Sequence, residues 1–196
     1  MSSARTAGLV LAAGEGRRFG GPKAVARIGG ERLVDVAVRL LVEGGCTPIV
    51  VVEGAVRLPA ADFSVPAPVH VVHNPDWSSG MGSSLRAGLN VLGTEPVSAV
   101  VITLVDQPWL GPEAVRRLRA AHAGGAFAAV ATYGGERGNP VMLARTVWGE
   151  AAELATGDTG ARSWLRAHPE LVTPVPCDGT GEPWDVDYPD DLSGGT

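Results

Sequence analysis

Cysteine is scarce: Cys46 and Cys177 are the only two in 196 residues. They form no metal-type pair and no disulfide framework, so both thiols read as buried apolar groups in a reducing compartment. Histidine is equally thin, and His70, His73, His122 and His168 have no metal-ligand spacing supported by neighbouring Cys or His. Basic runs are missing as well. Sixteen Lys and Arg stand against 21 Asp and Glu, a net charge of −5, which argues against a nucleic-acid partner. No apolar run reaches the length of a membrane span. The opening MSSARTAGLVLAAG lacks a signal-peptide layout, which leads to the expectation of a cytoplasmic protein with no membrane partner. Internal repeats and low-complexity tracts are absent too.

What the chain does have is a core and many loops. Hydrophobic residues make up 45% and charged residues 19%, with 27 Gly and 15 Pro. That composition suits a single domain over 1–196, built from short elements with frequent turns. Strand-length apolar runs recur at 7–12, 48–54, 69–73, 98–106 and 126–132. Three of them, AGLVLA, PIVVVEG and SAVVITLVD, are almost continuously apolar, as parallel strands covered on both faces require. Helical spacing lies between the runs. Leu33, Val34, Ala37, Val38, Leu41 and Val42 share one face, closed by Gly44-Gly45. Leu85, Leu89 and Leu92 share another, with Ser83 a candidate N-cap. Pro112 opens a third helix that ends at Gly124-Gly125, and Ala161, Trp164, Leu165 and His168 line a fourth. Strands alternating with helices predict an α/β domain with a largely parallel sheet.

The first strand runs straight into LAAGEGRRFGGPK, residues 11–23. Gly14 and Gly16 begin a dinucleotide fingerprint, but Phe19 occupies its third glycine position, and Glu53 is the nearest acid to the ribose position. A mononucleotide loop of the G-x-x-x-x-G-K-[ST] type also fails, because Pro22 precedes Lys23 and Ala24 follows it. The physics of phosphate binding remains. Glycines expose backbone N–H groups, and Arg17, Arg18 and Lys23 add positive charge.

This loop resembles the signature L-A-A-G-x-G-x-R-[FM]-G-x-x-K of the nucleotidyltransferases related to the molybdenum-cofactor enzymes. Further blocks match in order: NPDWSSGMGSSLRAG (74–88), LVDQPWL (104–110), RGNPVML (137–143), GDTGAR (157–162) and DVDYPDDL (185–192). Leu11-Ala12-Ala13-Gly14, in place of the L-A-G-G of guanylyl relatives, is similar to the cytidylyl branch, which acts on CTP and molybdopterin. The chain departs from the family at Tyr188, where Thr is frequent, and at Asn139, where His is frequent.

The resemblance implies an α/β, Rossmann-like nucleotidyltransferase fold, a largely parallel mixed sheet with helices on both faces. It also implies Mg²⁺ dependence and transfer of CMP to a molybdopterin-type phosphate acceptor with release of pyrophosphate. A molybdoenzyme apoprotein is the implied downstream partner. On the same footing, Leu11, Ala12, Ala13, Gly14, Gly16, Arg18, Lys23, Asn74, Gly82 and Ser83 would bind the nucleotide, with Arg18, Lys23 and Asp106 catalytic. Asp106 and Asp187 would hold the metal, and Asn139, Asp158 and Arg162 the acceptor.

The residue chemistry runs alongside. An acceptor phosphate is largely ionised near neutral pH, so no general base is needed, and charge screening and in-line positioning carry the reaction. Asp106 ends a buried apolar run where open α/β sheets place ligands; its alternative, a cap on the next helix, falls more naturally to Gly111. Several local readings stay open. Ser83 is a cap or a phosphate donor, Asn74 a nucleotide contact or a turn anchor, and Asp158 or Thr159 an N-cap. Asp190 or Asp191 reads as the cap of a short last helix, and the five Trp as core or loop anchors. Guanylyl transfer, a sugar-phosphate acceptor and a non-catalytic cofactor carrier are the competing functions.

Overall fold

A computed structural model of the protein describes residues 5–193. In chain order the elements are β1 (Arg5–Leu11), a small hairpin of β2 (Arg27–Ile28) and β3 (Glu31–Arg32), α1 (Leu33–Glu43), β4 (Ile49–Glu53), β5 (Val69–His73) and α2 (Met81–Leu92). There follow β6 (Val97–Leu104), α3 (Pro112–Ala123), β7 (Ala128–Tyr133), β8 (Glu136–Ala144), α4 (Trp148–Leu154), α5 (Arg162–Ala167) and β9 (Val172–Pro176). Among the described residues no helix is long and apolar enough to cross a membrane.

Seven strands form one sheet in the order β5-β4-β1-β6-β8-β7-β9. All its pairings are parallel except those of β8, which runs antiparallel to both β6 and β7. Strand β8 can reverse because Gly134 and Gly135, both at positive φ, close a two-residue hairpin. The alternation along β1 explains the two-sided burial. Ala7, Leu9 and Leu11 pack with α2, α4 and α5 on one face, while Val10 packs with α1 and α3 on the other. Close seating needs glycine at Gly8, where a Cβ would stand 2.7 Å from the Ile49 side chain and 2.8 Å from that of Leu41. The fold is the expected mixed, mostly parallel sheet with helices on both faces.

Three local expectations are corrected. Helix α2 is capped by Gly80, at φ +111, and not by Ser83, which lies inside its first turn. Neither Asp158 nor Thr159 caps α5; the chain makes a 3-10 turn at Gly157–Thr159 and enters α5 without a side-chain cap. Strand β6 ends at Leu104, so Asp106 sits in the turn beyond it. Gly111 caps α3, with Pro112 as its first helical residue.

Candidate functional site

The parallel strands end at one edge of the sheet, and the loops there enclose two clefts. The first, about 480 Å³, is lined by the loop after β1 (Ala13 to Arg18, with Lys23), by Trp77 to Met81 at the start of α2, and by Asp106 and Asp158. The second, about 490 Å³, is lined by Tyr133, Glu136 to Asn139, Arg162, Arg166, Gln107 and Asp185. Leu104, the last residue of β6, belongs to both walls. Asp106 then faces one cleft and its neighbour Gln107 the other.

The loop after β1 is rigid for local reasons. The Ala12 N–H donates to Val52 O at 2.9 Å, and the Ala55 N–H to Ala13 O at 3.0 Å, which extends the β1–β4 ladder into the loop. Gly16 O then accepts from the N–H groups of Gly20 and Gly21 at 2.9 and 3.2 Å. That tight return requires glycine: φ is +65 at Gly16, and a Cβ there would run into the Gly21 carbonyl. Arg17 turns outward to an exposed pair with Glu15. Lys23 turns inward.

Lys23 Nζ lies 3.3 Å from Asp106 Oδ2 and 3.3 Å from Asp187 Oδ1, and Arg18 Nη1 lies 3.2 Å from Asp187 Oδ2. Two carboxylates thus share one partly buried ammonium, with a second cation at the rim. The last segment of the chain brings Asp187 in. The Val186 N–H donates to Asp106 O at 2.7 Å, and Gln107 Nε2 to Asp185 Oδ1 at 2.7 Å. Asp191 accepts from the backbone N–H groups of Asp187 and Tyr188 at 2.8 and 2.7 Å, which holds its carboxyl below its ordinary pKa and closes the last turn. The expected cap is therefore Asp191.

Burial pushes the Asp106 carboxyl above its ordinary pKa, against the pull of Lys23. Its Oδ1 is buried with no hydrogen-bond partner among the described residues. An unsatisfied hard anionic oxygen, next to a second carboxylate, fits a divalent cation. Among the described residues no cluster of three or more acidic, His or Cys side chains could cage one. Substrate phosphates and water would complete the shell of such a cation.

The expected site residues divide. Leu11, Ala13, Gly14, Gly16, Arg18, Lys23 and Asp106 line the first cleft; Asn139 and Arg162 line the second. Asp158, expected with the acceptor, lines the first cleft instead, because its turn packs onto Gly80. Ala12 is buried beneath the loop. Gly82 is a packing glycine, since a Cβ there would meet Ala155 O at 2.5 Å. Asn74 is fully engaged within the protein. Its Nδ2 donates to Ser83 Oγ and Ser84 Oγ at 2.8 and 3.0 Å, and its Oδ1 accepts from the Asp76 N–H at 3.0 Å. Asn74 and Ser83 lie on neither wall; they brace the turn before α2.

Sequence reasoning missed Gln107, Tyr133, Arg137, Arg166 and Asp185 on the second cleft. Gln107, Arg137 and Asp185 lay inside quoted blocks, and nothing local marked them. Burial pushes the Tyr133 phenol up to about 12, so it stays neutral and donates to Asn139 O at 3.1 Å. Glu53, the nearest ribose-type acid, is buried and already used: it accepts from Arg57 at 2.8 Å and from the Leu58 N–H, with His73 Nδ1 at 3.4 Å.

The chain is 38% identical to a nicotine blue oxidoreductase from Paenarthrobacter nicotinovorans over 92% of its own length and 91% of that protein. It is 34% identical to a probable molybdenum cofactor guanylyltransferase from Opitutus terrae, over 54% of this chain and 52% of that one. Among solved structures, Rv0371c from Mycobacterium tuberculosis H37Rv superposes with a TM-score of 0.78 at 27% identity, covering 98% and 97% of the two chains. A manganese complex of the same protein matches at 0.73 and 26%, over 96% of each chain. The model of the MobA-like NTP transferase domain matches residues 8–172, and the chain belongs to that nucleotidyltransferase family.

Proposed function

We propose that the protein transfers CMP from CTP to a molybdopterin-type phosphate acceptor in a Mg²⁺-dependent reaction that releases pyrophosphate. One observation carries the reading: Asp106 and Gln107, adjacent in the chain, stand on two different clefts, with Lys23 and Asp187 gathered on the Asp106 side. Such a division suits a group-transfer enzyme, giving donor and acceptor separate subsites that adjoin at Leu104, where the reacting groups would meet.

In this mechanism the loop N–H groups and Arg18 hold the triphosphate in the first cleft. Lys23 screens the α-phosphoryl group and the departing pyrophosphate. The acceptor phosphate, placed by Arg162 with Asn139 in the second cleft, attacks the α-phosphorus, and the bond to the β-phosphate oxygen breaks. A divalent cation at Asp106 and Asp187 would neutralise phosphate charge and orient the reacting groups. The manganese complex of the related Rv0371c supports a divalent cation in the family. The choice of CTP rests on Ala12-Ala13 in the loop. Pyrophosphate release and labelled-CMP transfer, measured with CTP, GTP and molybdopterin, test the reading. Transfer from CTP is expected; transfer from GTP alone moves the protein to the guanylyl branch.

The nicotine blue oxidoreductase relative favours a second reading, an oxidoreductase, which with a nicotinamide nucleotide as its cofactor would transfer hydride. Glu53 weighs against it, since its carboxylate is buried and spent on Arg57 and Leu58 instead of facing a ribose. The paired carboxylates around Lys23 also have no task in hydride transfer. A non-catalytic carrier is the third reading. Asp106→Ala separates it from the first, because a carrier would keep cofactor delivery and an enzyme would lose turnover.

A further inference from the structure

The wall of the first cleft carries both charged side chains, among them Arg17, Arg18, Lys23 and Asp106, and apolar ones, among them Leu11, Trp77, Met81 and Leu104. A nucleoside triphosphate offers partners to both, an anionic tail and a flat π-system. Trp77 is the only aromatic residue on that wall.

The position of Trp77 is set with unusual care. Gly54 makes room for it: a Cβ at residue 54 would stand 2.5 Å from Trp77 Cβ and 2.8 Å from Ala13 Cβ. The side chain therefore rises directly beside the L-A-A-G loop. Its turn is clamped from below by Asn74, and by Ser83 Oγ, which lies 2.9 Å from Asp76 O and 2.8 Å from Gly80 O. Core tryptophans here spend their indole N–H internally, Trp148 on Leu143 O at 3.1 Å and Trp164 on Glu150 at 2.9 Å. Trp77 is half-buried and makes no side-chain hydrogen bond among the described residues.

We infer that Trp77 is the stacking platform for the nucleobase of the bound nucleotide. The inference rests on the reading of this cleft as a nucleoside triphosphate site. It adds a residue that contacts the base alone, distinct from the loop that holds the phosphates. Aromatic stacking tolerates any base, so Trp77 sets affinity and the orientation of the α-phosphorus more than the choice between cytosine and guanine.

The test compares two probes on three proteins. Wild type, Trp77→Ala and Trp77→Phe are each titrated with magnesium CTP and with magnesium tripolyphosphate, which carries the charge and no base. Trp77→Ala is expected to lose roughly 5- to 100-fold in CTP affinity while tripolyphosphate binding holds. Trp77→Phe should recover most of the loss. The tryptophan fluorescence difference between wild type and Trp77→Phe should quench with CTP and not with tripolyphosphate, a readout that survives if Trp77→Ala fails to fold. Unchanged CTP affinity in Trp77→Ala, equal loss of both probes, or no base-dependent quench each overturns the inference. Wild type that binds tripolyphosphate and no nucleotide overturns the base site alone. Wild type that binds neither overturns the triphosphate reading, and this inference falls with it.

Discussion

Two carboxylates sit on the same edge of the sheet, at the ends of the two strands that flank β1, and the chain uses them in opposite ways. Glu53 closes β4, is 4% exposed, and has a partner on each oxygen: Arg57 and His73 face one, and the Leu58 N–H donates to the other. Asp106 follows β6 and, among the described residues, has Lys23 on one oxygen and no hydrogen-bond partner on the other. Burying an unmet acceptor costs stability, about 1–3 kcal/mol for a typical group. A fold keeps such a group when a ligand supplies the missing partner. Glu53 fastens a loop; in the proposed reaction Asp106 is the carboxylate left for substrate and cation.

Substitutions can break this contrast. Asp106→Asn should give the largest effect, a loss of roughly 100- to 1,000-fold in CMP transfer, read as pyrophosphate release. Its thermal midpoint should not fall. Burial raises the Asp106 pKa, so the ionised form costs the folded state stability above the ordinary carboxylate range. The amide should melt at or above wild type at pH 7, with the difference shrinking as pH falls through that range. Lys23→Gln should lose transfer about 100-fold as well. It should also lower the midpoint, because Asp106 and Asp187 are left facing each other without their shared cation.

Gly16→Ala comes next. A Cβ at φ +65, pressed into the Gly21 carbonyl, should open the loop and weaken CTP binding about ten-fold in a calorimetric titration. Glu53→Ala should reverse the Asp106 pattern. Transfer per folded molecule should stay at the wild-type value, while stability falls by about 1–3 kcal/mol in a denaturant titration. The smallest effect belongs to Tyr133→Phe. Loss of its hydrogen bond to Asn139 O costs about 1 kcal/mol and should raise the acceptor KM about five-fold without touching CTP affinity. The neutral phenol, at about 12, should add no titration to the rate profile below about pH 10.

Much of the edge was legible in the residues. The apolar run of β1, the glycine spacing after it and the acid after β6 follow from periodicity and loop chemistry. Asp187 was legible only through the resemblance, since Asp185, Asp190 and Asp191 crowd the same stretch. The far side of the sheet hid itself. Strand β8 carries Gly138 and Pro140, and β9 carries Pro174 and Pro176, residues that mask a strand pattern and that an edge position such as β9 tolerates. Helix α4 buries only Trp148 and Ala151, too few apolar positions for a helical period to show. The separation of Asp158 from Asn139 and Arg162 has a tertiary cause. Gly80 lacks a side chain, so the turn at Gly157 packs against the start of α2 and puts Asp158 on the first cleft. Likewise Asn74 carried the family signature but is spent on bracing Trp77.

The most direct measurement is thermal stability with CTP, GTP and NADH, each with and without Mg²⁺. At about 100 times its Kd a ligand stabilises by roughly 2.7 kcal/mol, about 5–10 °C for a chain of this size. A shift of that order with CTP, dependent on Mg²⁺ and lost in Asp106→Asn, is the predicted result. Stabilisation by NADH alone, or by CTP equally with and without the cation, would contradict the assignment of Asp106, Lys23 and Asp187 to metal-assisted nucleotidyl transfer.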